Sequence, residues 1–299
     1  MGKKFCFVCL IILIATALLE HATAQPLFAQ TNETAPINSE DTWFEYIDWT
    51  WKGKFRPCLA VNYGVGKIKR KEFQGGFNDI GVLELKFGSS QIRPFHEFVK
   101  VLDETCLFGS YGSKDLATSE GDTSNVNPEM TRFGFGSRLG FGYRSGSVDI
   151  LPYNQMGFAW TKFEFDRPTD LSEQDGSILD RYEGTFRFGQ LAEAGIQFQL
   201  RRSFGVVGSY EWAVVIPRFV FWEWLGSTIL QYGLNGAITI FSERIIQSSP
   251  AIGPIVSFFL QNGLSYAFYS GMQNDMNWPF NSETPITMET LKLGATVTF

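Results

Sequence analysis

Histidine is almost missing from this chain, with two in 299 residues, and cysteine is scarce at four. Cys6, Cys9 and His21 fall within the first two dozen positions, which leaves His96, Cys58 and Cys106 for the rest. One histidine and two cysteines make no zinc pattern, so no metal and no cofactor is expected. Acyl or hydrolytic chemistry needs a base beside a nucleophile. Here it would rest on His96 alone, and no G-x-S-x-G occurs, so the chain does not read as an enzyme. Basic residues are outnumbered, 25 Lys and Arg against 31 Asp and Glu, for a net charge of −6. That excludes the basic footprint of a nucleic-acid binder. Charge of either sign is low as well: 19% of residues against roughly a quarter in soluble domains.

The N-terminal stretch is spoken for. Lys3 and Lys4 precede Phe5–Leu19, apolar apart from Thr16, and Ala22-Thr23-Ala24 stands before Gln25. Charged start, apolar middle and small-residue cleavage site together make a secretory signal peptide over residues 1–24. Residues 25–52 read as a polar linker followed by the aromatic cluster Trp43, Phe44, Tyr46, Trp49 and Trp51, side chains that favour a membrane–water interface. Residues 53–299 form the main body.

What that body has in abundance is aromatic side chains, 16%, and glycine, 30 in all. In RFGFGSRLGFGYR (132–144), Phe133, Phe135, Leu139, Phe141 and Tyr143 alternate with Arg and Gly. A period of two is the strand period. A run this long, tilted, crosses a hydrocarbon core of roughly 30 Å. The same alternation predicts about eight strands, near 55–66, 80–88, 104–112, 132–144, 147–165, 186–200, 204–216 and 291–299. The fifth changes phase at Phe163 and Phe165, which suggests a bulge. Connections alternate between tight turns and long polar segments, except that 89–103 is too long for the turn expected there. The last strand, LKLGATVTF, alternates Leu291, Leu293, Ala295, Val297 and Phe299 against polar or small residues.

These alternating strands and the ending on Phe299 resemble bacterial outer-membrane β-barrel proteins, a likeness of class rather than of one family. The resemblance implies an antiparallel up-and-down transmembrane barrel in the outer membrane of a Gram-negative-type bacterium. It also implies surrounding outer-membrane lipids and a last strand read by the barrel assembly machinery through Phe299. Two other readings stay open on the sequence: an outer-membrane lipid-modifying enzyme, and a soluble periplasmic β-barrel that binds an apolar ligand.

Residues 217–287 are too long for an ordinary hairpin loop. Trp222, Leu225, Ile229, Tyr232, Gly236 and Ile240 recur at helical spacing. Ser249-Pro250 offers an N-cap and first-turn proline for a second helix. The glycines and Pro254 argue against two continuous spans, so a helical hairpin over 217–272, at or over the barrel rim, is expected.

If the aromatic row faces lipid, the alternate row faces a lumen. That places Arg132, Arg138, Arg144, Arg187, Glu193, Gln197, Gln199 and Glu211 inside, with Arg138, Glu193 and Glu211 at one depth. Unpaired charges would be costly there, so a bonded cluster is expected, acting as a plug or as a gate for small or hydrophobic molecules. Glycines on the inner row (Gly134, Gly136, Gly195 among them) leave room for a ligand. Cys58 and Cys106, on the inner row with a strand between them, are candidates for a disulfide.

Overall fold

The computed structural model describes residues 55–96, 98–117, 121–201 and 203–299. The signal peptide, linker and interfacial segment expected over residues 1–52 lie outside the described residues. Eight strands run β1 (Arg56–Lys69), β2 (Ile80–His96), β3 (Val99–Ser113), β4 (Asn127–Ser145), β5 (Val148–Asp166), β6 (Arg187–Arg201), β7 (Phe204–Val215) and β8 (Ile286–Thr298). Each pairs antiparallel with the next, and β8 returns to β1, closing an eight-stranded barrel in chain order. Closure leaves no strand edge with unpaired backbone groups.

The connections divide the barrel into a turn end and a loop end. At the turn end β4 and β5 are joined by Gly146-Ser147, and Gly146 takes the positive φ of 61° that a two-residue hairpin loop demands. At the loop end a short helix, α1 (Glu173–Asp180), roofs the opening. Buried Asp175 accepts the backbone N–H groups of Gln74 and Gly75, tying α1 to the β1–β2 loop.

Two expectations need correction. Segment 89–103 is not a loop: β2 and β3 extend through it and meet at a tight turn, with a register shift at Pro94/His96. Ser89, Ser90 and Gln91 break the apolar alternation there, which hides the strand. The phase change in β5 is not a bulge either, since its register with β4 is continuous from Asn127↔Asp166 to Ser145↔Val148. Phe163 and Phe165 point inward because the lumen itself is apolar at the loop end. There they pack with Ile80, Val82 and Met130 and with Leu179 and Tyr182 from the roof.

Between β7 and β8 the chain forms α2 (Phe221–Ser248) and α3 (Gly253–Met272). α2 passes through Gly226, Gly233 and Gly236 unbroken. α3 starts at Gly253-Pro254, three residues beyond the expected cap, because Ser249 N–H instead closes α2 on Ile245 O. Gly253 lets the helices touch at the hairpin tip: a Cβ there would stand 2.6 Å from Ile246 Cα.

The pair neither enters the lumen nor covers the rim. It lies along the outer wall. Near the loop end Trp224 meets Phe158 and Phe188, at mid-height Asn235 reaches Met156, and near the turn end Ile246 packs on Val99, Val101 and Phe141. α3 returns past Asn154 to place Tyr269 and Met272 against Trp212 and Val214. The strand register explains the choice of wall. Outward positions under the helices include Asn154, Gln190, Ala192 and Ala194, a polar and small strip set among Met156, Phe158, Phe188 and Trp212, whereas the uncovered wall carries Leu83, Leu85, Phe87 and Leu107.

Candidate functional site

Alternation along each strand delivers four carboxylates (Glu84, Glu104, Glu193, Glu211) and four cations (Lys86, Arg132, Arg138, Lys292) to one buried belt across the lumen. The register sets the belt's first row: Glu104↔Arg138 on β3 and β4, Arg138↔Gln155 on β4 and β5, Gln155↔Glu193 on β5 and β6, and Glu193↔Glu211 on β6 and β7.

Glu193 is the hub. Its carboxylate lies 2.5 Å from Lys292 Nζ, 3.0 Å from Lys86 Nζ and 3.5 Å from Arg138 Nη2, and it accepts the Tyr153 hydroxyl at 2.6 Å. Lys292 has three N–H donors and three carboxylates around it, the others being Glu84 and Glu211, each at 2.9 Å. Arg132 donates to Glu211 at 2.7 Å and to Ser110 at 3.1 Å. Arg138 pairs with Glu104 at 3.2 Å. Each of the eight charges is within 4 Å of an opposite one, and the belt carries no net charge.

Taking an ion out of water costs several kcal/mol even after relaxation. The belt offsets that cost with multiple partners per group and with aromatic ceilings. The Arg132 guanidinium lies 5.6 Å from the Phe108 ring, and that of Arg138 lies 4.1 Å from the Tyr153 ring. Above the belt sits the apolar loop-end layer. Below it Leu102, Leu151 and Val207 pack around Tyr153.

Of the positions expected from sequence, Arg132, Arg138, Glu193 and Glu211 are in the belt. Gln197 and Gln199 are buried and run from it toward the turn end, Arg138 to Gln197 at 3.4 Å, Gln197 to Gln199 at 2.8 Å and Gln199 to Arg201 O at 2.7 Å. Arg144 and Arg187 are not in it. Arg144 has a half-exposed side chain at the turn end, clamped bidentate on Asp149 at 2.7 and 2.8 Å. Arg187 stands at the loop end opposite Thr161, as the first residue of β6. Strand tilt and length carry both beyond the charged layer.

Glu84, Lys86, Glu104 and Lys292 escaped sequence reading, although the signal was present: they alternate with the outward Leu83, Leu85, Leu107, Leu291 and Leu293. The room left by the inner glycines is occupied. The Tyr153 phenol lies over Gly195, the Phe108 ring over Gly134 and the Gln155 amide over Gly136. Cys58 and Cys106 are buried free thiols, each in register with Gly88 on the strand between them. Among the described residues no group of His, Cys, Asp and Glu could hold a metal.

No family model matches the chain, and no curated protein is similar to it. Among solved structures it is similar to Neisserial surface protein A, at 6% identity and TM-score 0.34 over 81% of this chain and 97% of that one. It is also similar to Ail, the attachment invasion locus protein of Yersinia pestis, at 10% identity and TM-score 0.30 over 83% of this chain and 100% of that one. A third is the outer membrane protein OprG of Pseudomonas aeruginosa, at 10% identity and TM-score 0.24 over 82% and 97%.

Proposed function

We propose that the chain is an outer-membrane barrel whose lumen is a permanent plug, and that its role is structural in the envelope rather than passage of solutes. The observation that carries this is the polarity of the wall. Outside, Phe87, Leu107 and Leu293 are 59%, 65% and 69% exposed; inside, the eight charges of the belt are 1–3% exposed. A soluble barrel has the reverse arrangement, because water rewards charge outside and apolar groups within. Lipid asks for the arrangement found here, with short turns toward the periplasm and long loops outside.

Support for a plug comes from the pairing of every belt charge with an opposite one, with Arg138 Nε the belt atom left without a hydrogen-bond partner. A gate needs a low-cost alternative arrangement of its charges. Here each ion is held by its neighbours and sealed between two apolar layers. Eight strands give an interior just wide enough to be filled by side chains.

Two measurements test the reading. Heat-modifiable migration in detergent gels is expected for the membrane barrel; a chain that stays monodisperse in plain buffer overturns that part. In planar bilayers the wild-type barrel, Glu193→Ala and Glu211→Ala are all expected to be silent. Defined single-channel steps from the wild type would overturn the plug.

A further inference from the structure

The α2–α3 hairpin connects two strands at the loop end, yet its tip lies at the turn end. Tyr143, two residues before the close of β4, donates its hydroxyl to Ala251 O at 2.8 Å, and Ile246 is buried against Val99 and Phe141. The outer face of the pair has a distinct composition. From Trp222 to Phe241 every exposed residue of α2 is apolar or glycine, and the same holds from Ile252 to Ala267 along α3. At 1.5 Å per residue, Trp222–Phe241 covers about 30 Å, the thickness of a hydrocarbon core. Beyond Phe241 the chain turns polar, through Glu243, Arg244, Gln247, Ser248 and Ser249.

The polar side chains of the pair lie on its buried side. Gln231, Thr239 and Ser242 of α2 and Gln261 and Asn262 of α3 are buried beside apolar Trp224, Ile246 and Phe268, and the Ser227 hydroxyl donates to Trp278 O in the segment after α3. Among the described residues no helix is long and apolar enough to cross a membrane. Buried Gln231, Gln261 and Asn262 lower the average, together with half-buried Glu223 and Asn235. A helix pair in water would turn its serines and glutamines outward; this pair hides them and shows Ile229, Phe241, Ile255 and Phe259.

We infer that the hairpin is an interaction surface for lipid acyl chains, embedded alongside the strands through the full depth of the bilayer, and that its tip, residues 247–252, emerges in the periplasm although it belongs to a nominally external connection. Continuity supports this occupant over a second protein copy, because the face extends the apolar band of the uncovered strands around the circumference. The inference rests on the outer-membrane reading, and the test separates the two.

A Gln247→Cys variant in a Gram-negative host is treated with a membrane-impermeant maleimide, with Ser177→Cys on exposed α1 as the external control. The unsubstituted chain, whose Cys58 and Cys106 are buried, is the blank. The expected result is labelling of Ser177→Cys in intact cells, and of Gln247→Cys only after the outer membrane is permeabilised. Labelling of Gln247→Cys in intact cells, or in neither condition, overturns the hairpin inference. Failure of Ser177→Cys to label in intact cells counts against the outer-membrane reading itself. A nitroxide on Phe259→Cys in phospholipid vesicles is expected to collide with oxygen in preference to a water-soluble nickel chelate. Preference for nickel, or protection from both as a second copy would give, overturns the acyl-chain contact.

Discussion

Glu193 and Glu211 are direct cross-strand partners on β6 and β7, and the Lys292 ammonium stands between them, 2.5 Å from one carboxylate and 2.9 Å from the other. Like charges opposite each other on neighbouring strands repel; Lys86 and Arg138 also face Glu193 and Arg132 faces Glu211, but Lys292 of β8 is the belt cation that pairs with both. Lys292→Met leaves four carboxylates facing three cations in a dry interior. Removing one partner of a buried pair costs about 3–5 kcal/mol, and that loss is expected in urea unfolding of the barrel in lipid vesicles. Adding Glu211→Gln to Lys292→Met removes the surplus negative charge and should recover roughly 0.5–3 kcal/mol of it. A Lys292→Met barrel as stable as wild type would show that the belt does not hold the strands in register.

Tyr153 fills the space over Gly195, and the same ring lies beneath the Arg138 guanidinium. Gly195→Val is therefore an overpacking change that pushes the phenol off Glu193, with an expected cost of about 1–3 kcal/mol. Gly233 on α2 is the contrasting case, because a Cβ there meets nothing within 4 Å. Gly233→Ala should gain up to about 1 kcal/mol from helix propensity. The temperature at which the folded gel band converts to the unfolded one reads both, down for Gly195→Val and level or up for Gly233→Ala.

The fold was legible where one solvent dominated each face. Phe133 to Tyr143 alternate cleanly because apolar side chains line the outer face and glycine or arginine the inner one, and that run falls wholly within β4. Reading failed where a face changed its surroundings along a strand. Phe163 looked out of phase because the lumen turns from charged to apolar above the belt, and Val99 and Val101 were hidden because Asp103 and Thr105 interrupt the apolar outward row of β3. The belt was half legible for a related reason. Arg132, Arg138, Glu193 and Glu211 stood in strongly patterned strands, whereas Lys292 and Glu84 needed the same parity rule carried to β8 and β2. No local pattern could place α2 and α3 on the wall. That follows from Asn154 and Gln190, two polar residues at outward positions whose meaning depends on which strands they neighbour.

Cys58 and Cys106 are each in register with Gly88. Two interstrand spacings of about 4.8 Å separate their backbones, beyond the roughly 6.8 Å upper limit of a disulfide. Both thiols are therefore expected to stay reduced in the folded barrel under mild oxidant. Mass should not shift on reduction, alkylation should be absent before unfolding, and two alkylations should follow it. A two-proton mass increase on reduction of the native protein would mean that β1, β2 and β3 are closer at this level than the register allows.

The seam between hairpin and barrel turns on Asn154. Its amide donates to Asn262 Oδ1 at 2.8 Å and to Ser265 Oγ at 3.2 Å, while Asn262 returns a bond to the Tyr153 carbonyl at 3.3 Å. Among acyl chains an asparagine that loses its partner finds no water to replace it. Asn154→Leu orphans the Asn262 acceptor and should cost about 1–2 kcal/mol. Asn154→Leu with Asn262→Leu should cost less than the two single changes together, by the ~0.6 kcal/mol typical of such bonds in membranes. The loss should also be local, since β5 keeps its ladder to β4 and β6. Protease added from the turn end is thus expected to cut Asn154→Leu within 247–252 faster than wild type, while the barrel still migrates as the folded form. Equal cutting of the two proteins would mean that the apolar contacts of Ile246 and Met272 seat the hairpin without help from this bond.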